Sequence, residues 1–316
     1  MFDPGANQHA HARVTDMLRI AILGAGGVGG FVAGALARAG DDPLVIAREE
    51  TAQVIARHGI SVQSVLLGAF VAHPRSAPAL EAPVDCLLVA TKATALQRSL
   101  ARIRTKPALV VPLLNGIDQM LTLRERFGAG CVGAGVIRIE SDRPAPGHVV
   151  QTSPWVRIDL AADDASLTEP IERLAAVMEG AAIPVRIGTS EAAILWSKLV
   201  RLNALACTTS AAEAPLGFIL GDPRWRATLT ACVAETAAVA RAEGATIDPR
   251  DALAELRAAH PQLGSSMWRD LAAGREPELD AIAGSVLRAA DRHGLACPTI
   301  ARLHSQIARR AHICAD

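Results

Sequence analysis

Aromatic side chains are scarce: the 316 residues include five Phe, four Trp and no Tyr. With 50% of the chain hydrophobic, the core has to be built from Ala, Leu, Val and Ile. Net charge is missing too. The 32 Lys and Arg balance 32 Asp and Glu, so no global field draws the chain to nucleic acid or to an acidic membrane. The six cysteines, at 86, 131, 207, 232, 297 and 314, form no Cys-x-x-Cys pair, which argues against a disulfide framework or zinc knuckle and for a reducing compartment. No run approaches the roughly 18 apolar residues of a membrane span without a charge or helix breaker. Residues 1–17 hold no apolar stretch of signal-peptide length and read as a flexible extension, with Met17 as an alternative start. These absences predict a soluble, cytoplasmic protein, and the length predicts two domains.

What is present is concentrated near the N-terminus. The short apolar run Leu18–Leu23 leads directly into Gly24-Ala25-Gly26-Gly27-Val28-Gly29, and a small-residue helix follows from Gly30 to Ala39. Each glycine has a mechanical reason. Gly24 permits the tight turn off the strand, Gly26 lets a pyrophosphate approach bare backbone, and Gly29 lets the helix pack closely on the sheet. The helix N-terminus offers unpaired N–H groups and a positive dipole end to phosphates. With a second strand from Pro43 to Ala47 at the expected distance, this pattern predicts a Rossmann dinucleotide-binding unit. Gly24, Gly26, Gly27, Val28 and Gly29 are its cofactor-binding candidates.

From 18 to 188, strand and helix signals alternate, as in a parallel sheet wrapped by helices. Candidate strands are Arg19–Leu23, Leu44–Ala47, Cys86–Ala90, Leu109–Leu113, Val132–Ile139, His148–Gln151, Val156–Leu160 and Val185–Ile187. Those from Val132 to Leu160, with a turn at Pro144–Gly147, suggest an antiparallel extension. From 189 to 316, apolar residues recur at helical spacing over Glu191–Ala212, Trp225–Glu243, Arg250–Ala259, Pro277–His293 and Thr299–His312. The expected architecture is α/β: an N-terminal Rossmann domain and a C-terminal all-helical domain for substrate and dimerisation, a homodimer being the expected assembly.

Several polar residues could carry chemistry, and each has a plain structural alternative. Arg48 ends the second strand, where an NAD site usually presents a carboxylate to the ribose; an arginine suits the 2′-phosphate of NADP(H), unless it is a solvated surface residue or Glu49 takes the acidic role. Lys92 and Asn115 follow strand ends and would face the cofactor, although Asn115-Gly116 is also a common turn pair. Lys198 lies on the apolar helix face of Ile194, Leu195, Leu202 and Leu205, where it would ordinarily snorkel to water. Facing a cleft instead, it would lose affinity for its proton through desolvation, with Arg201 adding to the effect, and could serve as a general acid near neutral pH. Ser265 and Ser266 are natural helix caps, and Pro277–Asp280 suits a first helical turn.

Taken together, Gly24–Gly29, Thr91-Lys92-Ala93, Leu114-Asn115-Gly116, Leu195-Trp196-Ser197-Lys198-Leu199, Ser265-Ser266-Met267, Arg275–Asp280 and Cys297-Pro298 resemble the ketopantoate reductase (2-dehydropantoate 2-reductase) family. The resemblance covers roughly residues 18 to 305. It implies NADPH-dependent reduction of a small 2-oxo acid, as in pantothenate biosynthesis. By motif it implies Lys198 as general acid, Glu278 as the acid that holds the substrate hydroxyl or positions that lysine, and Ser266 as the carboxylate-binding serine. Asn115 would lie near nicotinamide and substrate, Lys92 would be a second active-site lysine, and Arg48 would select NADP.

The chain also departs from the family pattern. The family commonly carries Asn four residues after the lysine, where this chain has Leu202 and then Asn203. Where another Asn is common one turn further, it has Ala206. The family's Asn-Gly after the acidic motif is Ala283-Gly284 here. Asn203 would serve as a substrate-binding residue only across a one-residue π-bulge, because a regular helix turns it about 140° from Lys198. The expectation is the regular helix, with Leu202 lining the cleft and ketopantoate a poor substrate. The rival readings are a paralogue reducing a different small carbonyl compound and a sensor that binds NADP(H) without turnover.

Overall fold

The computed structural model describes residues 18–313; the extension expected at 1–17, its alternative start at position 17, and position 314 lie outside them. Ile20–Leu23 is the middle strand of a five-stranded parallel sheet. Leu44–Ile46 and then Arg75–Ala77 follow on one side, Cys86–Val89 and then Leu109–Pro112 on the other. Every residue of Ile20–Leu23, Cys86–Val89 and Leu109–Pro112 is buried, as a parallel sheet covered on both faces requires. The strand order reverses between Ile20–Leu23 and Cys86–Val89, which opens a crevice beyond their carboxyl ends.

The antiparallel extension is present in part. Ala134–Arg138 and Arg157–Ala161 pair antiparallel, Val185–Ile187 adds in parallel, and a bridge between Val110 and Val132 ties this group to the main sheet. His148–Gln151 leaves it, joining Ile60–Ser64, Gly68–Ala72 and Ser141–Ala145 in a separate four-stranded sheet. The strands Ile60–Ser64, Gly68–Ala72 and Arg75–Ala77 were not legible in the sequence: they are short and half-polar, and pairing, not propensity, fixes them. Pro144 belongs to a strand and not to the expected turn. It sits on the edge strand of its sheet, where a missing N–H can be tolerated.

From Glu191 onward every element is helical. The long helix Glu191–Ala212 has the expected bounds, and Ser190 caps it by accepting the Ala193 N–H. Its first turns give Ile194 and Leu195 to the core under the sheet, while Trp196, Leu199 and Val200 belong to the helical core. Lys198 therefore stands where the two cores meet. The next long helix, Pro223–Ala242, starts before Trp225 because Asp222 accepts two N–H groups and Pro223 fits the first turn. The segment expected as a helix from Pro277 begins only at Leu279, and it opens with a π turn over Asp280–Gly284 before the α-helix Ser285–Arg292. Among the described residues no helix is long and apolar enough to cross a membrane.

Candidate active site

The glycine turn performs as its spacing predicts. Gly24 has φ +109°, and a Cβ there would lie 2.8 Å from the Ala90 carbonyl oxygen. At Gly29 a Cβ would lie 1.9 Å from the Gly24 oxygen, so only glycine lets the helix Gly27–Ala39 seat this close to the strand. A Cβ at Gly26 would meet nothing nearer than 3.9 Å, leaving its backbone open for a phosphate. Gly27 answers a different demand: its Cβ would lie 2.4 Å from the Ser141 carbonyl oxygen, so it lets the strand Ser141–Ala145 approach the loop. This cradle fits a dinucleotide pyrophosphate.

The loop forms one end of a cleft of about 910 Å³ that also runs past Arg48, Asn115, Lys198 and Ser266. Basic side chains outnumber acidic ones ten to four along its walls, which suits anionic ligands. Arg48 is exposed just beyond Leu44–Ile46, at the start of the helix Glu49–His58. It shares the cleft wall with Arg98 and Arg102.

Lys198 faces this cleft together with Arg201, Leu202 and Leu205, one stripe of the helix Glu191–Ala212. Burial lowers its pKa to about 8; the Arg138 charge lowers it next, Glu278 opposes, Arg201 adds a smaller push, and Asp159 opposes. Arg201 thus acts as expected, but the larger influence is Arg138, at the end of the strand Ala134–Arg138, which sequence reading missed. Among the described residues Lys198 makes no ion pair or hydrogen bond of its own.

Glu278 is buried, and the first-turn capping role considered for it does not apply. Its two oxygens accept the Ala93 N–H at 2.9 Å and the Asn115 Nδ2 at 2.9 Å, joining the parallel-sheet half to the helical half. The π turn that follows brings the Ala281 carbonyl against Gly116, where a Cβ would sit 2.3 Å from it; Gly116 has φ +91°. The structure also separates the two serines. Ser265 is buried, accepts the Trp268 N–H and lies 3.0 Å from Thr209 Oγ1, whereas Ser266 is exposed on the cleft wall.

Lys92 lines the cleft, where its ammonium pairs with buried Asp270 at 2.7 Å, and Asp270 also takes Arg275 Nε at 2.8 Å. The substrate contact considered for Asn203 needs correction. Asn203 is not in the cleft at all. The helix is regular there, and Asn203 is fully buried, donating to Thr236 Oγ1 at 3.0 Å and accepting from Cys207 Sγ at 3.2 Å. Leu202 takes the cleft position instead.

Comparison with known proteins agrees with this geometry. Residues 20–164 match the family described as ketopantoate reductase PanE/ApbA, and residues 192–311 match its C-terminal family. The chain is 31% identical over 299 residues to 2-dehydropantoate 2-reductase of Mycobacterium tuberculosis, covering 88% of this chain and 93% of that one. It is 27% identical over 297 residues to the uncharacterized oxidoreductase YkpB of Bacillus subtilis, covering 92% and 98%. The solved 2-dehydropantoate 2-reductase of Geobacter metallireducens superposes with a TM-score of 0.84 at 29% identity, over 92% of this chain and 99% of that one. A Rossmann half with an open phosphate cradle, a helical half that carries a cleft-facing lysine, and family matches to both halves lead to one conclusion: the chain belongs to the ketopantoate reductase family of oxidoreductases.

Proposed function

We propose that this protein is an NADPH-dependent reductase of a 2-oxo acid. The observation that carries the reading is Lys198: a lysine with its pKa lowered to about 8, beside Glu278, in the same cleft as an open glycine cradle. NADPH, when bound, supplies a hydride. Gly26 and the N-terminus of Gly27–Ala39 would hold its pyrophosphate, and Arg48 its 2′-phosphate. Protonated Lys198 donates to the substrate's carbonyl oxygen, and Ser266 offers a hydroxyl to its carboxylate. Glu278 keeps Asn115 and the Ala93 backbone in place and helps Lys198 hold its proton. A binder without turnover would need neither a desolvated lysine nor a carboxylate beside it. The decisive test is NADPH oxidation against a panel of 2-oxo acids; no turnover with any of them would overturn the reading.

The electrostatics give a second expected outcome. Removing the carboxylate in Glu278→Gln takes away the main charge that favours protonated Lys198. The alkaline limb of the rate profile should then move below pH 8, with roughly a tenfold change in proton affinity for each unit moved. One of the two donors now facing Glu278 would meet an amide NH₂ instead, at a stability cost of about 1–3 kcal/mol. Rate–pH profiles of both proteins check this, and an unmoved limb would separate Glu278 from Lys198.

Ketopantoate itself should be a poor substrate. Leu202 occupies the cleft, Ala283 stands in the π turn, and Asn203 is committed to a neighbouring helix. Steady-state kinetics should give kcat/KM for ketopantoate below the common enzyme range of about 10⁴–10⁸ M⁻¹s⁻¹. A value inside that range would show that the missing amides are dispensable.

A further inference from the structure

The cleft floor beside Lys198 holds more positive charge than reducing a monocarboxylate requires. Arg138 and Arg201 both line it and are largely withdrawn from solvent, their side chains 13% and 17% exposed. Their counter-charges are few: Glu140 on the same cleft wall attracts Arg201, and Glu255 and Asp159 supply the rest. A single oxygen of Glu255, Oε2, lies 3.6 Å from Arg138 Nη1 and 3.3 Å from Arg201 Nε, and the Glu255 side chain is itself 55% exposed. Asp159 is already engaged by Arg157 at 2.9 Å and Arg186 at 3.0 Å, and Arg138 reaches it only at 3.6 Å. Arg138 donates to Ser197 Oγ at 3.0 Å, and its buried Nε faces Asp159 Oδ2 only at 3.6 Å, beyond an ordinary hydrogen bond. Burial lowers both guanidinium pKa values, and the Arg138 charge lowers that of Arg201 further.

A guanidinium carries five donors, and leaving a withdrawn charge half-paired is costly. We propose that Arg138 and Arg201 form a second anion site, which selects a 2-oxo acid bearing a second carboxylate: a short-chain 2-oxo dicarboxylate. Spacing sets the length. Lys198 and Arg201 are three residues apart on one helix, which places their Cβ atoms about 5–6 Å apart. The ketone oxygen at Lys198 and a distal carboxylate at Arg201 then suit a chain the size of 2-oxoglutarate. Ser266 is left for the first carboxylate. Leu202 and Leu205 flank the methylene segment between the two polar ends. This deepens the proposed function and rests on its assignment of the cleft to a 2-oxo acid.

Equilibrium binding tests the site without turnover. Titration calorimetry on the intact protein, with and without NADP⁺, compares 2-oxoglutarate with 5-methyl-2-oxohexanoate, in which an isopropyl group replaces the distal carboxylate. The dicarboxylate should bind about tenfold to a hundredfold more tightly, because charge-assisted bidentate pairing is lost in the analogue. Arg201→Met should erase most of that preference while leaving the analogue's affinity within about threefold, and Arg201→Lys should restore part of it. Equal affinities of the two ligands for the unaltered protein would overturn the proposal, even if a variant fails to fold. Equal losses for both ligands in Arg201→Met would overturn it as well, since Arg201 would then hold the carboxylate common to both. Turnover of monocarboxylic 2-oxo acids with no dicarboxylate preference would sink this site and leave the proposed function standing. Tight 2-oxoglutarate binding without any NADPH oxidation would do the reverse.

Discussion

Lys198→Met should lower kcat for 2-oxo acid reduction by about 10²–10⁴ while leaving NADPH affinity unchanged, the usual consequence of losing a positioned general acid. The effect is expected because the proton has nowhere else to come from at that point of the cleft: Arg138 and Arg201 hold theirs too tightly, and Ser266 is a weak acid. The unaltered protein should lose reductive rate as pH rises through about 8, where Lys198 gives up its proton. The same shift has a consequence for stability. The folded chain binds this proton less tightly than the unfolded chain, whose ordinary lysine value is 10.5. Protonated Lys198 therefore weakens the fold below about pH 8, and the penalty fades between 8 and 10.5. Lys198→Met should raise the melting temperature at neutral pH and lose most of that advantage above this window. A variant that keeps near-normal turnover, or whose melting temperature falls at pH 7, would return Lys198 to the status of a packing residue.

Arg48→Ala should weaken NADPH binding by about one to two decades and leave NADH almost unchanged. A charge-assisted hydrogen bond contributes roughly 1.5–3 kcal/mol, which converts to that range. Arg48 follows the second strand of the parallel sheet and is exposed at the cleft, with Arg98 and Arg102 on the same wall. A dianionic 2′-phosphate would meet all three, and the ribose hydroxyl of NADH would meet none as a charge. Titration calorimetry with both cofactors distinguishes the roles. Equal losses for NADPH and NADH would show that Arg48 contacts a part of the cofactor common to both.

How much of the site was legible differs residue by residue, for physical reasons. The glycine turn could be read because most of its demands are local: the positive φ at Gly24 and the close contact of Gly29 with Gly24 are settled within one strand, one turn and one helix, while the contact of Gly24 with Ala90 comes from the neighbouring strand. The tight contact of Gly27 with Ser141 is not legible in the sequence, since that strand comes from far along the chain. The helix Glu191–Ala212 was legible in extent because its periodicity and Ser190 cap are local too. The role of Lys198 was not, since helical spacing fits a snorkelling lysine equally well.

Sequence by itself determined the α/β plan, the phosphate cradle, the long lysine-bearing helix and the family to which the chain belongs. The tertiary structure alone decided that Lys198 is desolvated at the meeting of two cores, with Arg138 from a distant strand adding to the shift that burial causes. It also decided that Glu278 ties Ala93 and Asn115 across the cleft, that Lys92 answers to Asp270, and that Asn203 turns inward to Thr236. The reason is common to all four. Burial and charge act through space, and the partners that supply them lie far apart along the chain, where no period or motif connects them.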